Sequence, residues 1–185
     1  MVALDASEDM ALAARSRLQS AGAVVVADLS KRLPFDDHSF DAILSTATFH
    51  WIRDHESLYG NLARVLRSGG RLAAQCGGFG NISTVIQAVK GLGAEDLTPW
   101  NFTTADEARL LLETSGFAEV ETWLHDEPTS RESFEDLAAF LSTCVLNPWL
   151  DRIPDQHAAF VREVAQRLPD GKIDFVRLNI SARRL

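Results

Sequence analysis

The chain has 185 residues, 46% of them apolar, and a formal charge of -8. That length suffices for one α/β domain with a sizeable core, while the acidic balance, with no basic cluster longer than a pair, argues against a nucleic-acid partner, which is held by massed Lys and Arg. No apolar run nears the roughly 20 residues of a membrane helix and no basic-then-apolar leader opens the chain; a cytoplasmic protein with a small-molecule ligand and no membrane partner is expected.

Val2-Ala3-Leu4 reads as the tail of a buried parallel strand ended by Asp5. Ser7 then caps a helix with Glu8 and Asp9 in its first turn, Met10, Ala14 and Leu18 along one stripe, and Gly22 closing it. Ala23 to Ala27 is a second strand stopped by Asp28, and a polar loop through Pro34 feeds a third strand, Phe40 to Ser45. Asp54 caps a helix carrying Leu58, Leu62, Val65 and Leu66, which Gly69-Gly70 ends, and Arg71 to Cys76 follows as a fourth strand. Strands alternating with helices at this spacing require right-handed crossovers, so the fold class is α/β, a Rossmann-like, doubly wound, mostly parallel sheet.

The second half changes character. Val85, Ile86, Val89 and Leu92 form a helical stripe, and Thr104 with Glu107 makes a capping box for a helix that stops at Gly116. Glu119 to Leu124 and Asp174 to Ser181 alternate like strands. Between them, one helix is expected from Thr129, with Phe134, Leu137, Ala138 and Leu141, and another from Pro154, with Phe160, Val161, Val164 and Leu168. The expectation is a single domain, 1–185, with a helical lid inserted at 127–170 before the last strand. Cys76 and Cys144 lack metal-ligand spacing and read as buried thiols, so no metal is expected.

The stretches ALDAS-x-x-M, ADLSKRLPFDDHSFDAILSTATFHWI and LARVLRSGGRLAAQCGG resemble the core of the class I S-adenosylmethionine-dependent methyltransferases, in the small-molecule branch that includes trans-aconitate methyltransferase. The likeness is dense over about the first 80 residues and looser in GNISTVIQAV and SGFAEVETW. It implies S-adenosylmethionine as cofactor, with Asp5, Ala6, Met10, Asp28, Leu29, Ser45 and Thr46 as its contacts. Asp5 would take the ribose diol, Asp28 the adenine amine, the Leu29 N–H the ring, and Ser45-Thr46-Ala47 the strap under the methionine portion. Ligands of open α/β sheets do bind beyond the carboxyl ends of strands, where Asp5, Asp28 and Ser45 stand. Each has a plainer reading beside it: Asp5 as a capping carboxylate for Ser7, Asp28 as a turn residue, Met10 as core.

The family has an earlier strand and a Gly-rich turn that approaches the cofactor closely. No such turn precedes Asp5, so Met1 is expected to be an internal start and cofactor binding to be impaired. The missing strand would leave two edges facing a gap, with a second copy of the chain as an available partner for them. Methyl transfer by in-line displacement needs chiefly alignment; His50 is the candidate base or substrate contact, with Trp51 and Trp149 as substrate-binding walls. A carboxylic acid is one candidate acceptor, for which Arg177 or Arg183 could supply the cation. His38, His55, His125 and His157 read as solvated and receive no role. The alternatives are a non-catalytic fragment or binding module, and an NAD-dependent oxidoreductase, which also places an acid after its second strand.

Overall fold

The computed structural model describes residues 1–94, 98–153 and 156–185. Strand β1 (Val2–Asp5) runs into helix α1 (Glu8–Leu18), whose Ser7 hydroxyl accepts from the Met10 N–H at 3.3 Å. The helix stops at Gln19, with φ 48°, rather than at Gly22. Gly22 serves a different need: a Cβ there would lie 2.8 Å from the Met1 carbonyl oxygen, so its bareness lets strand β2 (Ala23–Val26) begin against β1. The two strands pair in parallel, Leu4 opposite Val25. The stripe expected to be buried on α1 is not: Met10 is 58% exposed, and Ala11 is the buried residue of the helix.

Strand β3 (Phe40–Thr46), helix α2 (His55–Val65) and strand β4 (Leu66–Gly77) form the next unit. Asp54 caps α2 by accepting from the Ser57 N–H at 3.0 Å. Leu66 opens β4 instead of closing α2, and Gly69-Gly70 lie within an irregular stretch of the strand, since β3 pairs Phe40 with Leu66 but Ala42 with Arg71. The helix therefore ends at a backbone that is already extended, and the glycines absorb the register shift, Gly69 at φ 75°.

Helix α3 (Ser83–Gly91) and helix α4 (Ala105–Thr114) follow, the latter opened by the reciprocal Thr104–Glu107 capping box. Strand β5 (Phe117–Asp126) and the last strand, β8 (Val176–Arg184), are each longer than their alternating cores suggest. Strand β8 inserts between β4 and β5 and is antiparallel to both, giving the order β3-β4-β8-β5. Two short strands, β6 (Thr129–Ser130) and β7 (Lys172–Ile173), pair at the base of the segment between β5 and β8. That segment holds α5 (Phe134–Phe140), a π-helical turn (Leu141–Val145), α6 (Asn147–Leu150) and α7 (His157–Gln166). Thr129 is thus a strand residue; the cap of α5 is Ser133, whose hydroxyl accepts from the Asp136 N–H at 3.0 Å. Pro154, expected to open the next helix, lies outside the described residues.

Two apolar cores result. One packs Leu58, Tyr59 and Leu62 of α2 and Leu112 of α4 against Leu72, Leu178 and Ile180 of the sheet. The other joins Val85 and Val89 of α3 to Leu141, Leu146, Trp149 and Val164, with Trp100 at its margin. Among the described residues β1 and β2 pair only with each other, and the free edge of β3 leaves Leu44 80% exposed. Because burial sets the cost of truncation, Leu178→Ala is expected to destabilise the protein by about 2–5 kcal/mol and Leu44→Ala by less than ~0.5 kcal/mol, read from urea unfolding.

Candidate active site

The acidic strand tips come first. Asp5 stands at the end of β1, and Asp28 lies two residues past Val26, the pairing partner of Asp5, so both carboxylates belong to the same end of adjacent parallel strands. Each also holds its own turn. Asp5 Oδ1 accepts from the Ser7 N–H at 2.9 Å, and Asp28 Oδ1 accepts from the Ser30 N–H at 2.8 Å and the Ser30 hydroxyl at 2.7 Å. The Ser30 hydroxyl is the main cause that holds the Asp28 carboxyl below its ordinary value, followed by the Ser30 N–H and the Lys31 ammonium. The turn and capping readings therefore hold as geometry, yet they leave acceptor capacity: Asp5 Oδ2 and the Leu29 N–H make no hydrogen bond among the described residues. Ala6 follows Asp5, and Met10 lies exposed in the first turns of α1.

Ser45 and Thr46 end β3, opposite Ala74 and Gln75 of β4. Ala47, at φ 54°, turns the chain back while its N–H donates to the Gln75 carbonyl at 2.7 Å. This turn delivers the Phe49–Trp51 helical turn over the end of β4, where a cavity of about 200 Å³ opens. Its walls are His50, Trp51, Trp100, Phe102 and Phe175, with Ala47, Ile82, Cys144 and Val145 between them and Asn81 and Arg177 as polar groups. The ring centroids of Trp51 and Trp100 are 5.5 Å apart, and those of Trp100 and Phe102 5.7 Å with planes 16° apart. Asp5 and Asp28 are not on this cavity; they stand at the strand ends of the other sheet.

The expected wall residues separate. Trp51, 47% exposed, lines the cavity, whereas Trp149 is 2% exposed and stands behind Trp100 with its centroid 5.7 Å away. Cys144 is exposed on the cavity instead of buried, while Cys76 is buried, which pushes its thiol up to about 11. The four histidines read as solvated are engaged. His55 is buried and contacts the Phe49 carbonyl through Nε2 at 3.0 Å; His157 reaches the Leu150 carbonyl at 2.7 Å and His38 that of Leu66 at 3.1 Å. His125 Nδ1 lies 2.9 Å from Asn179 Nδ2, so it accepts. Spacing could not show these contacts, because each partner lies on another turn or another element.

His50 is the most constrained polar group. Its Nδ1 accepts from the Gly77 N–H at 3.2 Å, and its ring lies 5.5 Å from Trp51 and 5.8 Å from Phe102 by centroids. Burial among these rings, aided by the nearby Arg177 cation and by His55, pushes its pKa down to about 4. Arg177 pairs across the strands with Gly77, donates from Nε to Glu127 at 2.7 Å, and rests its guanidinium 4.4 Å over the Phe175 ring. Its terminal nitrogens make no hydrogen bond among the described residues, so they remain for a ligand. Arg183, the other arginine considered, pairs with Glu119 at 3.2 Å and carries no share of the cavity. Sequence reasoning missed Asn81 and Phe175, since the GGFGN stretch reads merely as a turn after a strand and Phe175 lies just before the start of β8. No group of three His, Cys, Asp or Glu among the described residues could hold a metal ion, and no helix there is long and apolar enough to cross a membrane.

A parallel β/α unit followed by an antiparallel strand inserted before the edge defines a Rossmann-like methyltransferase fold. Residues 1–74 match the family model described as a methyltransferase domain. An uncharacterized methyltransferase of Schizosaccharomyces pombe is 34% identical over 130 residues, 63% of this chain and 50% of that protein. A trans-aconitate 2-methyltransferase of Variovorax paradoxus is 29% identical over 207 residues, 100% of this chain and 77% of that protein. A crystal structure of a putative methyltransferase from Bacillus halodurans superposes with a TM-score of 0.67 at 19% identity, covering 98% of this chain and 81% of that one. Over these stretches the chain is similar to methyltransferases, and its fold is the Rossmann-like one of the superposed structure. The chain spans about half the length of the S. pombe relative. None of these findings favours a nicotinamide-dependent enzyme.

The His50 environment has a consequence for stability. A histidine held near pKa 4 in the folded chain and near 6.5 when unfolded binds its proton later on folding, so stability falls as pH drops from 6.5 towards 4 and loses nothing further below. Between pH 7.5 and 5 the wild type is expected to lose about 2 kcal/mol more than His50→Gln, read as the difference between their urea midpoints multiplied by the m-value.

Proposed function

We propose that the protein transfers a methyl group from S-adenosylmethionine to a small-molecule acceptor carrying a carboxylate. The observation that carries this reading is the cavity at the ends of β3 and β4, whose one cationic group, Arg177, keeps its terminal nitrogens free among the described residues and faces aromatic walls. The trans-aconitate relative is named for methylating a carboxylic acid, which agrees with such a group.

The cofactor's donor and acceptor needs match the residues present. Asp5 Oδ2 has capacity for a ribose hydroxyl, the unpaired Leu29 N–H for an adenine nitrogen, and the outer lone pairs of Asp28 for the exocyclic amine. Ala6 leaves room beside Asp5, Met10 offers a thioether surface to the base, and Ser45 and Thr46 would lie beneath the methionine portion. When bound, S-adenosylmethionine supplies a methyl group on a positively charged sulfur that leaves as a neutral thioether. The chain's own part is to hold the acceptor and limit water there, a role for which the Trp51, Trp100 and Phe102 rings lining the cavity are suited. A second reading, a scaffold that grips cofactor weakly, rests on the separation of the β1-β2 sheet from β3 among the described residues. The same free edges favour a second copy of the chain as partner.

Isothermal titration of the chain with S-adenosylhomocysteine tests the reading. Binding is expected, with Asp5→Ala weakening it about tenfold and NAD giving no heat. Saturable NAD binding without S-adenosylhomocysteine binding would overturn it.

A further inference from the structure

The polar groups around the cavity share a property beyond the presence of Arg177. Among the described residues the cavity is lined by no carboxylate. Two of its side chains have ambiguous hydrogen-bonding faces in general, and in both the ambiguity is settled by a backbone N–H. The Gly77 N–H can only donate, so His50 Nδ1 must accept; the neutral ring then carries its proton on Nε2. The Val176 N–H donates to Asn81 Oδ1 at 2.9 Å, so the Asn81 amide nitrogen is the end left for the cavity, and it makes no hydrogen bond among the described residues. Gly77 and Arg177 are cross-strand partners, and a Cβ on Gly77 would sit 2.8 Å from Asn81 Nδ2. His50, Asn81 and Arg177 therefore line one cavity beside the β4–β8 junction.

We propose that His50, Asn81 and Arg177 form a donor-only cradle that selects an acceptor already ionised at oxygen, a carboxylate, and that His50 serves in it as a fixed hydrogen-bond donor and never as a base. This deepens the acceptor reading given above and rests on it. For His50 to take a proton at Nε2, its other proton would have to sit on Nδ1, facing the Gly77 N–H with nothing to accept it. A carboxylate has no proton to lose, so the site needs no base. The charged and titratable groups facing the His50 ring all point the same way: Arg177 from β8 and His55 from α2 both oppose a positive charge on it, and the Cys76 thiol of β4 stays neutral. A neutral alcohol or a cationic amine would meet donors where it needs acceptors, which is how a cradle of this kind discriminates.

The test combines two readouts on the full chain. Long-range proton–nitrogen NMR of the histidine rings is expected to show His50 protonated on Nε2 and unchanged between pH 5.5 and 8.5; a proton on Nδ1, or a titration in that range, overturns the proposal. Binding of trans-aconitate and of benzoate is then measured by titration calorimetry, with trimethyl trans-aconitate as the uncharged control. Asn81→Asp keeps the acceptor that Val176 needs and only exchanges the facing donor for an anion, so the fold is retained while carboxylate affinity falls at least tenfold; His50→Phe costs about fivefold and Arg177→Gln at least tenfold. Equal affinity of Asn81→Asp and wild type, equal binding of the ester, or no saturable binding of either carboxylate to the wild type overturns the proposal. S-adenosylhomocysteine binding by the wild type is scored apart: its failure alongside the expected carboxylate results removes the methyltransferase reading and leaves the cradle standing.

Discussion

The close approach of layers at the end of β4 governs most of what lies around it. Gly78 is so closely covered that a Cβ would fall 2.3 Å from Leu124 Cδ2 and 2.9 Å from Leu178 Cβ, and Gly77 is met from above by Phe102 and Asn81. Only bare backbone lets the sheet, the 49–51 turn and the segment after Trp100 converge there. From that convergence come the Gly77 N–H that orients His50, the cross-strand position of Arg177 and the aromatic walls. The cavity is thus a product of backbone proximity more than of any one side chain.

A second division is electrostatic. The chain as a whole is acidic, at -8, and carries carboxylates at the tips after β1 and β2, yet among the described residues the cavity lining holds a cation and no carboxylate. Each environment is maintained by local partners. Ser7 and Ser30 supply the hydrogen bonds that hold the Asp5 and Asp28 side chains in place, and burial among aromatic rings keeps His50 neutral. Glu127 takes only the Nε of Arg177 from its solvent side, which steadies the guanidinium on the Phe175 face while leaving the far nitrogens uncommitted. The strand tips and the cavity are thus surfaces of opposite character.

The lid-like segment and the body meet through aromatic rings instead of hydrogen bonds alone. Trp100 sits between Phe102 on the cavity side and Trp149 in the second core, so the depth of the cavity depends on how α6 and the π-helical turn pack beneath it. The extra residue that a π-helical turn accommodates places Val145 and Cys144 at the cavity.

Sequence alone determined the alternation of strand and helix, the caps at Ser7, Asp54 and Thr104, and the acidic tips after β1 and β2, because each of these depends on neighbours within a few residues. It also showed His50 and Trp51 as residues of interest, since aromatic and imidazole groups just past a strand end stand out of any core pattern. Tertiary structure alone decided the entry of β8 between β4 and β5, the placing of Trp149 behind Trp100, and the cap of α5 at Ser133. It decided as well which nitrogen of His50 is free and which end of Asn81 faces the cavity. Those outcomes turn on single backbone N–H groups, Gly77 and Val176, separated from their partners by 27 and 95 residues, and no local pattern in a chain can report a contact made at that distance.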